Sequence, residues 1–165
     1  MITILIPLAD GESIHKWTLN SIAMQDVDCC LVPISRPRQE NFRLSEAECR
    51  NELKKYASDP YAFYLDSDAY FTRPTDVSDC IRWLHDNSEY GAVALDTKHV
   101  GSIEKCEARR HVIIAAMCIR KFVLDAIEFR QLFEEGKELC LCRALNEDVK
   151  IKYLDHRVLG EVCRK

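Results

Sequence analysis

Two carboxylates, Asp66 and Asp68, stand two residues apart directly after the apolar, aromatic run 61–65, in the string YLDSDAYF. At strand rise, residues i and i+2 project to the same side, about 7 Å apart. A strand's carboxyl end is also where open α/β sheets bind their ligands. Hard oxygen donors in that place suit Mg2+ or Mn2+, which bridge to phosphate oxygens. The local string alone fits a turn or a helix cap equally well.

The remaining polar groups are less pointed. Arg36, Arg38 and Arg43 lie in a proline-containing polar stretch, fit either to clamp a diphosphate or to face water. Arg109-Arg110-His111 either folds over phosphates or is ordinary surface charge. Glu134 and Glu135 offer a general base, or a solvated helix end. Glu147-Asp148 falls just before the last apolar run and reads as a turn. His15, His85 and His99 have no partner at metal or triad spacing and read as surface or half-buried residues. G-x-S-x-G, Walker A and G-x-G-x-x-G strings do not occur, so serine-hydrolase, P-loop and dinucleotide-binding chemistry has no support.

The elements that must position Asp66 and Asp68 follow from the pattern of apolar residues. Residues 2–8, ITILIPL, are apolar without alternation, which predicts a strand buried on both faces. A helix is expected over 13–24, with apolar Ile14, Trp17, Ile22 and Met24, and a second strand over 27–34. Residues 35–43 predict a loop. Ser45 and Glu48 form a capping box that starts a helix running to about residue 57, ahead of Asp59-Pro60. The third strand, 61–65, ends at Asp66. Thr75 is placed to cap a helix with Val77, Ile81 and Leu84 inward and acids in its first turn. Strands follow at 91–95 and 111–119, separated by an irregular polar stretch, 96–110. Helices are expected over 121–133 and 138–145, and a short final strand over 149–154. This alternation predicts an α/β fold, a mostly parallel sheet with helices on both faces, in one domain spanning residues 1–165.

Composition sets the outer bounds. The chain has 165 residues, 47% apolar and 30% charged, with net charge −4 and a pI near 5.8. A non-specific nucleic-acid or anionic-membrane binder would carry a basic excess, so neither is expected as a partner. Nine cysteines include no C-x-x-C pair, and most sit in apolar runs such as DCCLV and AAMCI. Buried reduced thiols are the expectation. The start of the chain has no basic region ahead of its apolar stretch, and no apolar run approaches the ~18 residues of a membrane span. A reducing, cytoplasmic setting is therefore expected.

The order of five segments resembles the GT-A-fold glycosyltransferases, in particular compact, single-domain, family 2-like members. ITILIPLADGE is similar to their opening strand and first nucleotide-binding turn. Glu48-Cys49-Arg50-Asn51 resembles their "aRN" helix, and YLDSDAYF their LDSD motif. GKELCLCRAL is similar to "gEDxxFCrrA", and VKIKYLDHRVLGEV to "ykiyvDxrvxxgHv". The resemblance covers nearly the whole chain.

It implies the transfer of a sugar from a nucleoside-diphosphate donor to an acceptor hydroxyl, with Mn2+ or Mg2+, in inverting fashion. Asp68 is then the metal ligand, and Asp66 meets the ribose or a metal-bound water, with Ser67 between them in the motif. Pro7, Leu8, Asp10, Arg50 and Asn51 contact the nucleotide. The acid of the "ED" motif falls on Glu138, beside Lys137, as the base for the acceptor hydroxyl, with Glu135 as the competing candidate. The position of the family's C-terminal metal-binding histidine holds Glu161, and His156 lies five residues earlier as a substitute. The acidic pair that often follows the second strand is replaced by Pro33-Ile34-Ser35-Arg36. The acceptor is unspecified, and a site this small is expected to be shallow or completed by a second copy or another chain. Two alternatives stand beside this one: a non-catalytic GT-A-like module binding a nucleotide or a protein, and a nucleotidyltransferase.

Overall fold

The computed structural model describes residues 1–8, 11–35, 42–99, 116–129, 132–134, 137–139 and 150–160. The strand β1 (Ile2–Leu8) leads to helix α1 (Lys16–Ala23) and strand β2 (Cys29–Ser35). Helix α2 (Phe42–Leu53) ends in a 3-10 turn, Lys54–Tyr56, before β3 (Tyr61–Leu65) and the short β4 (Tyr70–Phe71). Then come α3 (Asp76–Asp86), β5 (Ala92–His99), β6 (Ala116–Arg120), α4 (Lys121–Ala126), β7 (Leu132–Glu134), β8 (Lys137–Leu139) and β9 (Ile151–Gly160).

Seven strands form one sheet in the order β2-β1-β3-β6-β5-β9-β4, and β7 pairs with β8 in a separate two-stranded sheet. β1 runs parallel to β2 and β3, and β5 parallel to β9. β6 is antiparallel to both of its neighbours, and β4 is antiparallel to β9. Five strands (β1, β2, β3, β5, β9) therefore point one way, and β6 and β4 oppose them. The mostly parallel α/β architecture expected from the sequence is present.

Alternation along the central strands divides the core into two layers. Leu5, Ala62, Tyr64, Ala94, Met117 and Ile119 face α2 and α4, packing with Ala47, Leu53, Leu124 and Phe129. Ile4, Ile6, Phe63, Leu65, Val93 and Cys118 face the other side, against Ile22 of α1 and Val77, Cys80 and Leu84 of α3. Strands covered on both faces need apolar residues at every position, which is why ITILIPL and YAFYL show no polar alternation. Cys49, Cys80 and Cys118 are buried, as expected, whereas Cys30 on the outer strand β2 is exposed. Burial pushes the Cys118 thiol up, out of the range in which it would ionise. Pro33 also lies on β2, at the sheet's edge, where a missing N–H is tolerated.

Several elements differ from expectation. α2 begins at Phe42, a turn before Ser45, so Ser45 lies inside the helix and does not cap it. Phe42, Arg43 and Leu44 have no side chain that competes for the backbone, so the helix extends through them. α3 does begin after Thr75, but the Thr75 side chain caps no backbone group. Gln25 Oε1 accepts from Val77 N at 3.1 Å, and Asp76 Oδ2 accepts from Thr72 N and Arg73 N, each at 2.9 Å. Residues 96–99, expected in a loop, continue β5 against 158–160 of β9. Where helices were expected over 121–133 and 138–145, the helix α4 ends at Ala126 and β7–β8 form a hairpin pairing Glu134 with Lys137. Residues 140–145 of the second expected helix lie outside the described residues.

Candidate functional site

β1 is flanked by β2 on one side and β3 on the other, so the connection through α1 leaves β1 in one direction and the connection through α2 returns across it. This reversal between β1 and β3 is the point where an open α/β sheet binds ligands. β1 pairs with β2 through Leu8 but with β3 only through Leu5, opposite Tyr64. Pro7 and Leu8, both half-buried, thus continue past the end of the β3 pairing on the side where Asp66 emerges.

Asp66-Ser67-Asp68 occupies a tight turn between β3 and β4, closed by Ala69 N donating to Asp66 O at 3.1 Å. Asp66 and Asp68 are half-buried, while Ser67 between them is buried. The middle residue is held by the segment after β1. Ser67 Oγ donates to Glu12 Oε1 at 2.6 Å, and Ser67 O accepts from His15 N at 2.8 Å and from Thr18 Oγ1 at 3.0 Å. His15 also caps α1, its Nδ1 accepting from Trp17 N at 3.3 Å. The inward side of α1 therefore buries the small polar Thr18 and Ser21 beside apolar Ile22, while Trp17, expected among its apolar positions, is 61% exposed. Ser21 Oγ accepts from Phe71 N at 3.1 Å, fixing β4 to the same helix.

The opposite flank is set by α2. Arg50, its side chain only 3% exposed, donates through Nη2 to Asp66 Oδ1 at 3.2 Å. Its guanidinium carbon lies 5.6 Å from the centre of the Tyr64 ring, and Tyr64 Oη donates to Arg50 O at 2.7 Å. Burial pushes the Tyr64 phenol up beyond its ordinary range, with the Arg50 cation opposing. Tyr64 is therefore a neutral donor, and Arg50 brings a desolvated positive charge to one oxygen of Asp66.

Of the residues singled out in the sequence, Arg50, Asp66, Ser67 and Asp68 come together, with Pro7 and Leu8 on the adjoining strand end. Asn51, the next residue of α2, is turned to Phe129. Its Nδ2 donates to Phe129 O at 2.8 Å, and its Oδ1 accepts from Phe129 N at 2.9 Å. It lines an open groove with Glu48, Lys54, Asp125 and Glu128 that shares no lining residue with the Asp66–Asp68 turn. Glu138 lies on β8 opposite Phe133, outside the seven-stranded sheet. His156 lies on β9 where the register shifts: Leu95 pairs with Leu154 and Thr97 with Val158, so Asp96 faces three residues, 155–157. β9 then reaches β4, pairing Leu159 with Tyr70, two residues beyond Asp68. Asp10, Glu135, Glu161, Arg36, Arg38 and Arg109 to His111 lie outside the described residues.

Sequence reading missed Glu12, His15 and Thr18. The one available signal was spacing: Thr18 falls four residues after Ile14 and four before Ile22.

Among the described residues no group of three or more histidine, cysteine, aspartate or glutamate side chains is assembled to hold a metal ion. The donor chemistry nonetheless fits a hard divalent cation: two carboxylates leave one rigid turn at the sheet's carboxyl end, and one Asp66 oxygen is already oriented by Arg50.

No family model matches the sequence, and no curated protein matches it significantly. Solved structures do match its fold. The 1–349 fragment of Staphylococcus aureus TarS in complex with UDP-GlcNAc aligns with a TM-score of 0.70 and 15% identity, over 99% of this chain and 59% of that one. The mannosyltransferase PcManGT from Pyrobaculum calidifontis, in complex with GDP-Man and Mn2+, aligns with a TM-score of 0.65 and 11% identity, over 93% of this chain and 54% of that one. The CMP:2-keto-3-deoxy-manno-octonic acid synthetase complexed with CTP aligns with a TM-score of 0.60 and 11% identity, over 94% and 89%. The chain spans 36% of the longer TarS structure. The fold is α/β and of the GT-A type.

Proposed function

We propose that this chain is a metal-dependent glycosyltransferase domain that takes a sugar from a nucleoside-diphosphate donor and passes it to an acceptor hydroxyl with inversion. The observation that carries this reading is the Asp66-Ser67-Asp68 turn at the sheet's switch point, pinned by α1 on one side and by buried Arg50 on the other. TarS with UDP-GlcNAc and PcManGT with GDP-Man and Mn2+ share the fold and support a nucleotide-sugar and a divalent metal here.

In this reading Pro7, Leu8 and Asp10 lie along the nucleotide. Asp66, oriented by Arg50, meets the ribose or a metal-bound water. Asp68 holds Mn2+ or Mg2+, with Glu161 or His156 as the further donor. When bound, the cation would supply charge compensation for the departing diphosphate. Asn51 serves the site by holding Phe129 beside Tyr64, whose rings meet edge to face at 5.3 Å. Glu138, or Glu135, takes the proton of the acceptor hydroxyl, which requires hydrogen-bond reach and a pKa set by its surroundings. The buried thiols of Cys49, Cys80 and Cys118 accord with a reducing, cytoplasmic setting, and no helix among the described residues is long and apolar enough to cross a membrane.

A nucleotidyltransferase is the second reading, supported by the match to the CTP-bound synthetase. Calorimetric titration separates the two. UDP or GDP binding that requires Mn2+ and disappears in Asp68→Ala, with thermal unfolding unchanged, is the expected result. Metal-dependent binding of CTP or UTP in preference to any nucleoside diphosphate would replace this reading by the second. A folded protein that binds no nucleotide removes both.

A further inference from the structure

We infer that Thr18 is a positioning residue for the metal-binding turn, setting Asp66 and Asp68 through the main chain of Ser67. The inference rests on the donor-site reading above and extends it to a residue that makes no contact with donor or metal.

Thr18 is the third residue of α1 and is fully buried. A β-branched residue there costs the helix slightly relative to alanine, and in the first turn a threonine hydroxyl has no helical carbonyl four residues earlier to bond. Instead the Thr18 hydroxyl reaches across to Ser67 O, 49 residues away in sequence. The same carbonyl accepts His15 N, so both of its lone-pair directions are filled from one helix end. These bonds hold the Ser67–Asp68 peptide plane through Ser67 O, Ala69 N holds the Asp66–Ser67 plane through Asp66 O at 3.1 Å, and Glu12 holds Ser67 Oγ. Those planes carry Asp66 on one side and Asp68 on the other. The Cα–Cβ bonds of Asp66 and Asp68 are thereby set relative to one another, which a metal-ligand pair needs and a simple connecting turn does not. The same bonds tie residues 12–18 to the turn after β3.

Thr18→Val keeps the shape and removes the hydroxyl, while Thr18→Ser keeps the hydroxyl. UDP and GDP are titrated calorimetrically into wild type and both variants, with Mn2+ and with EDTA, and thermal unfolding of the nucleotide-free proteins is recorded alongside. Thr18→Val is expected to weaken Mn2+-dependent binding about tenfold, in keeping with loss of one buried hydrogen bond. No protein should bind in EDTA, and Thr18→Ser should keep Mn2+-dependent affinity to within about twofold of wild type. A lowered melting temperature with wild-type Mn2+-dependent affinity means that Thr18 only stabilises the fold and overturns the inference while leaving the donor site standing. Equal loss in Thr18→Val and Thr18→Ser assigns the effect to packing and also overturns it. A wild type that binds neither nucleotide with Mn2+ overturns the donor-site reading and this inference together.

Discussion

The contact between Arg50 and Asp66 makes a quantitative prediction. Two unit charges 3.2 Å apart attract by about 5 kcal/mol at an effective dielectric of 20. That gross figure must be discounted, because the Asp66 side chain is 35% exposed and water screens it. Fully exposed pairs contribute about 0–1 kcal/mol, whereas breaking buried pairs costs about 3–5. A pair with one partner buried and the other half-solvated should couple by about 1.5–2 kcal/mol. The two single changes should also be unequal. Asp66→Asn leaves a guanidinium that is 3% exposed facing a neutral amide, while Arg50→Met leaves a carboxylate that water can reach. Asp66→Asn is therefore expected to be the costlier for the charge term, although Arg50→Met also alters the packing over Tyr64. The assay is a double-mutant cycle in urea at pH 7, comparing midpoints at constant m-value. At this chain length about 1.5–2 kcal/mol corresponds to roughly 3–8 °C in melting temperature. A coupling energy below about 0.5 kcal/mol would refute the argument that Arg50 holds Asp66 in place.

Two further outcomes concern the rest of the α2 flank. Asn51→Ala removes both bonds to the Phe129 main chain and is expected to cost about 2 kcal/mol, with faster hydrogen exchange at the Phe129 amide; an unchanged urea midpoint counts against this. Tyr64→Phe should cost about 1 kcal/mol at neutral pH by losing the bond to Arg50 O. Its pH dependence has a definite sign. The folded-state pKa of Tyr64 is raised, so its contribution is complete below the unfolded value of about 10 and is lost as pH rises above it. The stability gap between wild type and Tyr64→Phe should therefore narrow between pH 9 and 11, by up to about 1.4 kcal/mol per pH unit once the unfolded phenol ionises. A gap constant over that range contradicts the buried-phenol account.

What sequence reading recovered depended on whether burial or pairing decided the outcome. ITILIPL and YAFYL are covered on both faces, and continuous apolar runs announce that directly. The Asp66-Ser67-Asp68 signal was legible because it follows such a run without a gap. The direction of β6 was not legible: AMCI is as apolar as a parallel strand would be, and only its register against Phe63 and Val93 shows it to be antiparallel. β4 is two residues long and exists through its pairing with Leu159 and Val158, so no local pattern could reveal it. The start of α2 was misplaced because the capping box at Ser45 is a local preference that the longer helix overrides. The anchoring of Ser67 was hidden for the same reason as β4, since Glu12, His15 and Thr18 lie about fifty residues away in sequence.

Pro33 has a consequence for how copies of this chain meet one another. An outer strand exposes a row of unpaired backbone groups, a template on which a strand from another molecule can grow. On β2 that row is interrupted at Pro33, leaving Cys29–Val32 before it and only Ile34 and Ser35 after it. An added strand would lose its ladder where the chain turns toward the crevice. Among the described residues Pro33 thus limits self-templated strand addition on β2 to the stretch Cys29–Val32 and opposes sheet extension along the whole of that edge.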